Sequence, residues 1–278
     1  MRTLTKSNSV KPAGRTRSES YSAPALDKGL DILELIAEQK GGLTQSQIAL
    51  ALNRSIHEIY RMLNCLEQRG YLYRSRPGDL YVLSMKTFEI AHRHAPLRGL
   101  LEIALPEMQR LADETQQSCN LGTQSGGRVL VIAQVESPGP FGFTVRPGGL
   151  FPMVPNSAGR VLLAYQPEEV QRSWLAAANG ASGTAKKGAF FDILASIKRQ
   201  GYAEVRDETF NGITISFPII GSYGNALAAL TVPYISSISF GTRPVSEIRS
   251  SLKAAAESIS SRLSGSDIRF DSDTPRRR

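Results

Sequence analysis

Two helix-start signatures lie eleven residues apart in this chain, Thr44 with Gln47 and Ser55 with Glu58. In each, a hydroxyl residue and a Glu or Gln three positions on satisfy each other's backbone donors and close a helix N-terminus. Starts that close together leave room for one short helix, about Gln45 to Leu52, and a tight turn at Asn53 and Arg54 before a second helix begins. The second places Ile59, Met62, Leu63 and Leu66 on one side and His57, Tyr60, Arg61, Asn64 and Gln68 on the other. Gly70 stands where a left-handed helix cap is expected. An earlier helix is predicted from near Ala25, its inward stripe formed by Leu26, Leu30, Leu33 and Ile36 and widened by Ile32, Leu35 and Ala37; Gly41 and Gly42 stop it. After the helices, Tyr71 to Tyr73 and Leu80 to Leu83 read as two strands joined through Arg74, Ser75, Arg76, Pro77, Gly78 and Asp79.

This segment also carries the charge bias. Residues 1–98 hold 15 Lys and Arg against 9 Asp and Glu, whereas residues 99–265 are nearly balanced, 14 against 13. Basic charge concentrated there suits a polyanion, because neutralising phosphates releases condensed counterions. The same bias also serves plain solubility. No window nears the 18 or so apolar residues of a bilayer-spanning helix, and residues 1–20 lack the apolar core of a signal peptide, so the chain is expected to be cytoplasmic with no membrane partner. Cys65 and Cys119 are the only cysteines, without CxxC spacing, and His57, His92 and His94 the only histidines. Neither a disulfide framework nor a metal site is expected, and no cofactor.

At 278 residues the chain is long enough for two domains. The expected division is a disordered tail over 1–22, a winged helix-turn-helix over 23–84, a linker helix over 85–98 ending before Pro96, a second domain over 99–265 and a second tail over 266–278. In the second domain helices are predicted at Leu100–Thr115, Ser157–Tyr165, Pro167–Ala177, Phe190–Gln200 and Val245–Leu263. Strands are predicted at Ser118–Thr123, Arg128–Val135, Phe141–Arg146, Ile213–Ile220 and Ala226–Tyr234. The class is α+β, a sheet flanked by helices.

A helix, a turn and a polar-faced helix followed by a basic hairpin can dock in the DNA major groove, where base edges show distinct donor and acceptor patterns. His57, Tyr60, Arg61 and Asn64 share a face by their spacing and are the candidate base readers; Ser55, Arg74 and Arg76 are placed for phosphates. A small helical domain with an ordinary solvated face gives the same pattern.

The segments ALDKGLDILELIAEQKGGLTQSQIALALN and RSIHEIYRMLNCLEQRGYL resemble the N-terminal region of the IclR family of bacterial transcriptional regulators. The likeness continues through LPEMQRLADETQQSCNLGT, VLVIAQVESPGPFGF, NSAGRVLLAY and the run from GYAEVRDE to LAALTVPY, about residues 23 to 264. It implies a winged helix-turn-helix joined to a GAF-like, profilin-like effector-binding domain, in homodimers or homotetramers that bind pseudo-palindromic operator double-stranded DNA, and no catalysis. Many members carry a Ser-Thr pair where this chain has His57 and Glu58. Glu58 either serves the helix dipole and its capping box or accepts from a cytosine amine.

The family's signature regions map to Ser157, Ala158, Gly159 and Arg160, and to Asp207, Gly212, Ile213, Ile215, Thr231 and Pro233. They imply a pocket for a small organic effector, a sugar or aromatic acid, whose carboxylate meets the start of a helix near Ser157. Phe143 and Phe151 complete the candidate effector site together with Cys119, which reads as core or pocket lining. A tight turn at Gly159 and a packed apolar wall would use the same residues. Two rivals stay open on the residues: an enzyme processing a small acid, for which no nucleophile and base pair can be named, and a protein-interaction adaptor.

Overall fold

The computed structural model describes residues 23–39, 41–76, 78–93, 95–139, 142–179, 187–207, 212–235 and 243–264. The tails expected at 1–22 and 266–278 lie outside them. The chain divides into two compact units between Ala91 and His92, and each is described by itself.

In the first unit, α1 (Pro24–Ala37), α2 (Gln45–Ala51) and α3 (Ile56–Gln68) precede a hairpin of β1 (Leu72–Ser75) and β2 (Leu80–Leu83); α4 (Lys86–Arg93) follows and contains the boundary. Both capping boxes form, with the Thr44 and Ser55 side chains accepting from the backbone N–H groups of Gln47 and Glu58. Between them Asn53 takes a left-handed φ of 50°, and Gly70 closes α3 at 77°. Ile32, Ile36, Ile48, Ile59, Leu63, Leu72 and Tyr81 make the core. The inward stripe of α1 is shorter than its sequence pattern: Leu26 and Leu30 are 62% and 47% exposed, because only the C-terminal half of the helix is buried.

The hairpin pairs Arg74 opposite Tyr81, and Leu43 bridges to Tyr81 from the other side through two backbone bonds of 3.1 and 2.8 Å. Gly42 makes that approach possible. Its φ is 85°, and a Cβ there would lie 2.6 Å from the Tyr81 carbonyl oxygen.

The second unit opens with α5 (Ala95–Thr115), β3 (Cys119–Ser125), β4 (Arg128–Val135), β5 (Leu150–Pro152), α6 (Ser157–Ala164) and α7 (Glu168–Asn179). It continues with α8 (Lys187–Gln200), β6 (Ala203–Asp207), β7 (Gly212–Ile220), β8 (Ala226–Tyr234) and α9 (Val245–Ser264). The six strands form one sheet in the order β5-β4-β3-β8-β7-β6, every pair antiparallel. One face packs on α5 and α9 through residues such as Leu100, Met108, Ile215, Phe217, Leu230 and Ile259. The other carries α6, α7 and α8 over Val129, Ala226 and Ala229. Central β8 is buried along nearly its whole length, as a strand covered on both faces must be.

Three sequence expectations are corrected here. No strand runs through residues 142–146; the edge pairing to β4 is taken by Leu150–Pro152 instead. The linker helix does end before Pro96, at Arg93, but the next helix begins at Ala95 instead of Leu100. Pro96 therefore sits in the first turn of α5, where its missing N–H has no intrahelical partner to lose. Strand β6 is additional and lies at the sheet edge, with Ala203 buried and Glu204 and Arg206 exposed.

Candidate nucleic-acid interface and effector pocket

Helix α3 is held from three sides. Its apolar face is anchored by Ile59 and Leu63, both fully buried, and its start is locked by Ser55 and Glu58. One Glu58 oxygen accepts from the Ser55 backbone N–H and hydroxyl at 3.0 Å each, while the other takes Lys28 Nζ of α1 at 2.9 Å. The Lys28 bond first, then the Ser55 donors, hold the Glu58 carboxyl down at about 2. Both Glu58 oxygens are thus engaged within the unit, which favours the structural role over reading a base. The Ser55 hydroxyl donates to Glu58, so what it leaves toward solvent is the helix N-terminus itself.

His57, Tyr60, Arg61 and Asn64 are all exposed on α3. The two hairpin arginines differ. Arg74 donates to the Tyr81 hydroxyl at 2.5 Å, lies over the Tyr81 ring at 4.9 Å and pairs with Glu67 at 3.6 Å, so it is tethered to the unit. Arg76 stands exposed in the turn. Arg54, also exposed, immediately precedes Ser55 at the head of α3 and adds a cation that the spacing argument passes over.

In the second unit a pocket of about 120 Å³ opens between the sheet, α6 and the irregular 142–146 segment. Phe143, Phe151, Ser157, Ala158, Thr231 and Pro233, all indicated by the sequence, line it together with Asn120, Val129, Val131, Val145, Asn156 and Thr214. One wall is the first turn of α6, capped by Asn156, whose side-chain oxygen accepts from the Ala158 N–H at 2.9 Å. The polar lining among the described residues is amide and hydroxyl only. Behind it the Ser157, Ser216 and Thr231 hydroxyls form a buried chain with links of 2.8 and 2.7 Å.

Other candidates lie elsewhere. Ile213 and Ile215 belong to the core under α5 and α9, on the opposite face of β7 from Thr214. Cys119 is fully buried in that same core, its thiol against the Met108 carbonyl, and burial pushes it up to about 12. Gly159 is a packing glycine: a Cβ would lie 2.0 Å from the Met153 carbonyl oxygen. Asp207 ends β6 opposite Gly212. Arg160 spans back to the Val154 carbonyl at 2.9 Å and is not among the lining residues.

The IclR helix-turn-helix domain model matches residues 25–76, and the one described as bacterial transcriptional regulator IclR C-terminal matches residues 94–261, more than half of the chain. The chain belongs to the IclR family of bacterial transcriptional regulators. Within that family it is similar to the HTH-type transcriptional regulator KdgR of Escherichia coli K12, 24% identical over 255 residues that cover 90% of this chain and 96% of the relative. Similarity to BhcR of Paracoccus denitrificans is 29% over 232 residues, 80% of this chain and 82% of that one. The fold is shared with a crystal structure of an IclR homolog from Microbacterium hydrocarbonoxydans complexed with 4-hydroxybenzoate, at a TM-score of 0.73 and 23% identity, over 87% of this chain and 100% of that one. Pseudomonas aeruginosa HmgR shares it too, at 0.68 and 21%, over 86% and 98%. This IclR-family chain is a transcriptional regulator with an N-terminal helix-turn-helix.

The lining residues that sequence reasoning missed had one usable signal. Strict alternation along β7 separates Thr214 from Ile213 and Ile215, and the same rule on β8 keeps Thr231 with Pro233. Val129 and Val131 also alternate, but a register shift beside Ile132 turns Ala133 to the opposite core, so the pattern breaks mid-strand.

Proposed function

We propose that this regulator binds a pseudo-palindromic operator as a homodimer or homotetramer in the cytoplasm, and that a small organic acid in the second unit's pocket sets its occupancy. The observation that carries the reading is the locked α3, with His57, Tyr60, Arg61 and Asn64 exposed on a helix whose start and buried face are fixed. Arg61 and Asn64 suit bidentate contacts to guanine and adenine, whereas Ser55, Arg74 and Arg76 serve phosphates. The tether on Arg74 leaves Arg76 the freer of the two hairpin cations.

For the ligand, the aromatic walls Phe143 and Phe151 suit a flat apolar body, and the α6 start with its neighbouring hydroxyls and amides suits one acidic group. The complex of the Microbacterium hydrocarbonoxydans homolog with 4-hydroxybenzoate supports an aromatic acid over a sugar acid. Asp207 is retained as a candidate at the β6 end. Binding rather than catalysis is favoured because the pocket lining offers hydroxyls without a histidine or carboxylate base among the described residues. An effector acts only if its affinity differs between DNA-competent and DNA-incompetent states.

Mobility shift of the purified chain on its own upstream promoter DNA at low salt, with and without 4-hydroxybenzoate, tests the reading. A specific complex whose occupancy changes with the acid is the expected result. Failure to bind that DNA better than random duplex sinks the operator half, and an occupancy indifferent to every aromatic and sugar acid tried sinks the effector half.

A further inference from the structure

The buried hydroxyls of Ser157, Ser216 and Thr231 are 1%, 0% and 5% exposed, and they meet in a line with Ser216 in the middle. Ser157 and Thr231 line the pocket; Ser216 does not. A hydroxyl has one proton to donate and two lone pairs to accept with. Among the described residues no third partner is recorded for the Ser216 hydroxyl, so it donates to one neighbour and accepts from the other. The alternative, both neighbours donating inward, strands the proton of a hydroxyl that is fully buried, which costs the full penalty of an unpaired buried donor.

Two proton arrangements remain. In one, Ser157 donates to Ser216 and Ser216 to Thr231, which leaves the Thr231 proton free for the pocket. In the other the direction is reversed and the Ser157 proton is free. Either way the pocket meets one donating hydroxyl and one that can only accept, their separation no greater than two hydrogen-bond lengths. Polarisation along the chain reinforces whichever direction a ligand selects.

We infer that Ser216 is a specificity-determining residue: by coupling Ser157 to Thr231 it makes the pocket select effectors that present one hydrogen-bond acceptor and one donor within reach of both hydroxyls, as a meta-hydroxy acid does more readily than a para-hydroxy acid. This rests on the pocket reading above and sharpens its ligand class. An acid that offers acceptors alone satisfies one end and leaves the other unpaired.

The test is calorimetric binding of 3-hydroxybenzoate and 4-hydroxybenzoate to the full chain, each against its fluoro analogue, which keeps the size and removes the O–H donor. Wild type is expected to prefer the better-fitting hydroxy acid over its analogue by about tenfold, the worth of one hydrogen bond with its partner left unpaired otherwise. In Ser216→Ala the two ends become independent donors, and that preference falls by about threefold or more. Ser216→Cys, which keeps only a weak S–H donor, falls between. Thermal melting of each variant confirms folding before its ratio is read. Equal weakening of both members of a pair, with the ratio intact, overturns the coupling and leaves the pocket standing. Absence of wild-type binding to all four acids removes the pocket reading for aromatic acids, and this inference with it.

Discussion

Lys28 on α1 and Glu58 on α3 meet at 2.9 Å across 30 positions of sequence, and the carboxylate that takes the lysine is the one that closes the capping box with Ser55. One side chain thereby fixes both the start of α3 and its seat against α1. This geometry gives Glu58 its reason: the negative charge sits at the positive end of the helix and is matched by a cation from α1.

That arrangement sets a pH dependence. The folded Glu58 carboxyl lies at about 2 against an ordinary 4.5. A depressed value means that the contribution to stability is complete above the ordinary value and is lost as pH falls through the folded one. Glu58→Gln keeps an acceptor for the box and removes the charge. Its melting temperature should therefore lie below wild type at about pH 6, by an amount that solvent screening keeps small, and the gap should narrow as pH falls below the ordinary carboxyl value toward about pH 3. A gap that stays constant over that range would show that the charge on Glu58 contributes nothing.

The start of α6 depends on Gly159 packing flat against Met153. A methyl placed 2.0 Å from the Met153 carbonyl cannot be accommodated by a side-chain rotation, because the opposing atom is backbone. Gly159→Ala should destabilise the protein by roughly 1–3 kcal/mol, as overpacking of a dense site does, measured by urea unfolding. It should also weaken 4-hydroxybenzoate binding more than DNA binding, since Ser157 and Ala158 move with the helix. Unchanged unfolding would mean that the chain before α6 is free to withdraw.

The helix-turn-helix was legible because its signals are local: two capping boxes, a glycine stop and a polar face all lie within about one turn of what they specify. The pocket was legible only in part, because it is assembled from β3, β4, β5, β7, β8, α6 and the 142–146 segment, and sequence spacing does not say which face of a strand meets which helix. The family signature groups Ile213 and Ile215 with Thr231, yet these two side chains belong to the other core. The tether between Arg74 and Tyr81 was equally hidden. It needs the hairpin register, which pairs those two residues directly.

Arg61 and Arg76 separate base reading from phosphate contact. Arg61→Ala should lose about 10- to 100-fold on the operator and far less on random duplex, the discrimination expected of one good bidentate base contact. Arg76→Ala should weaken both DNAs alike and lower the slope of log affinity against log salt by about 1. Fluorescence anisotropy at several salt concentrations decides both. Equal losses on operator and random DNA for Arg61→Ala would remove that side chain from the base-reading face.

The two cysteines report on both units at once. Cys65 is exposed on α3 between Asn64 and Leu66, whereas Cys119 is sealed in the core with its thiol pushed up to about 12, so only the first offers an accessible sulfur. Alkylation with iodoacetamide, followed by peptide mass spectrometry, should modify Cys65 in the native protein and reach Cys119 only after unfolding. Adding operator DNA should then slow Cys65 modification, because it follows Asn64 on the helix proposed to occupy the groove, while random duplex at moderate salt should protect it less. Undiminished labelling of Cys65 in a complex shown to be saturated would place α3 away from the duplex, whatever the affinity of that complex.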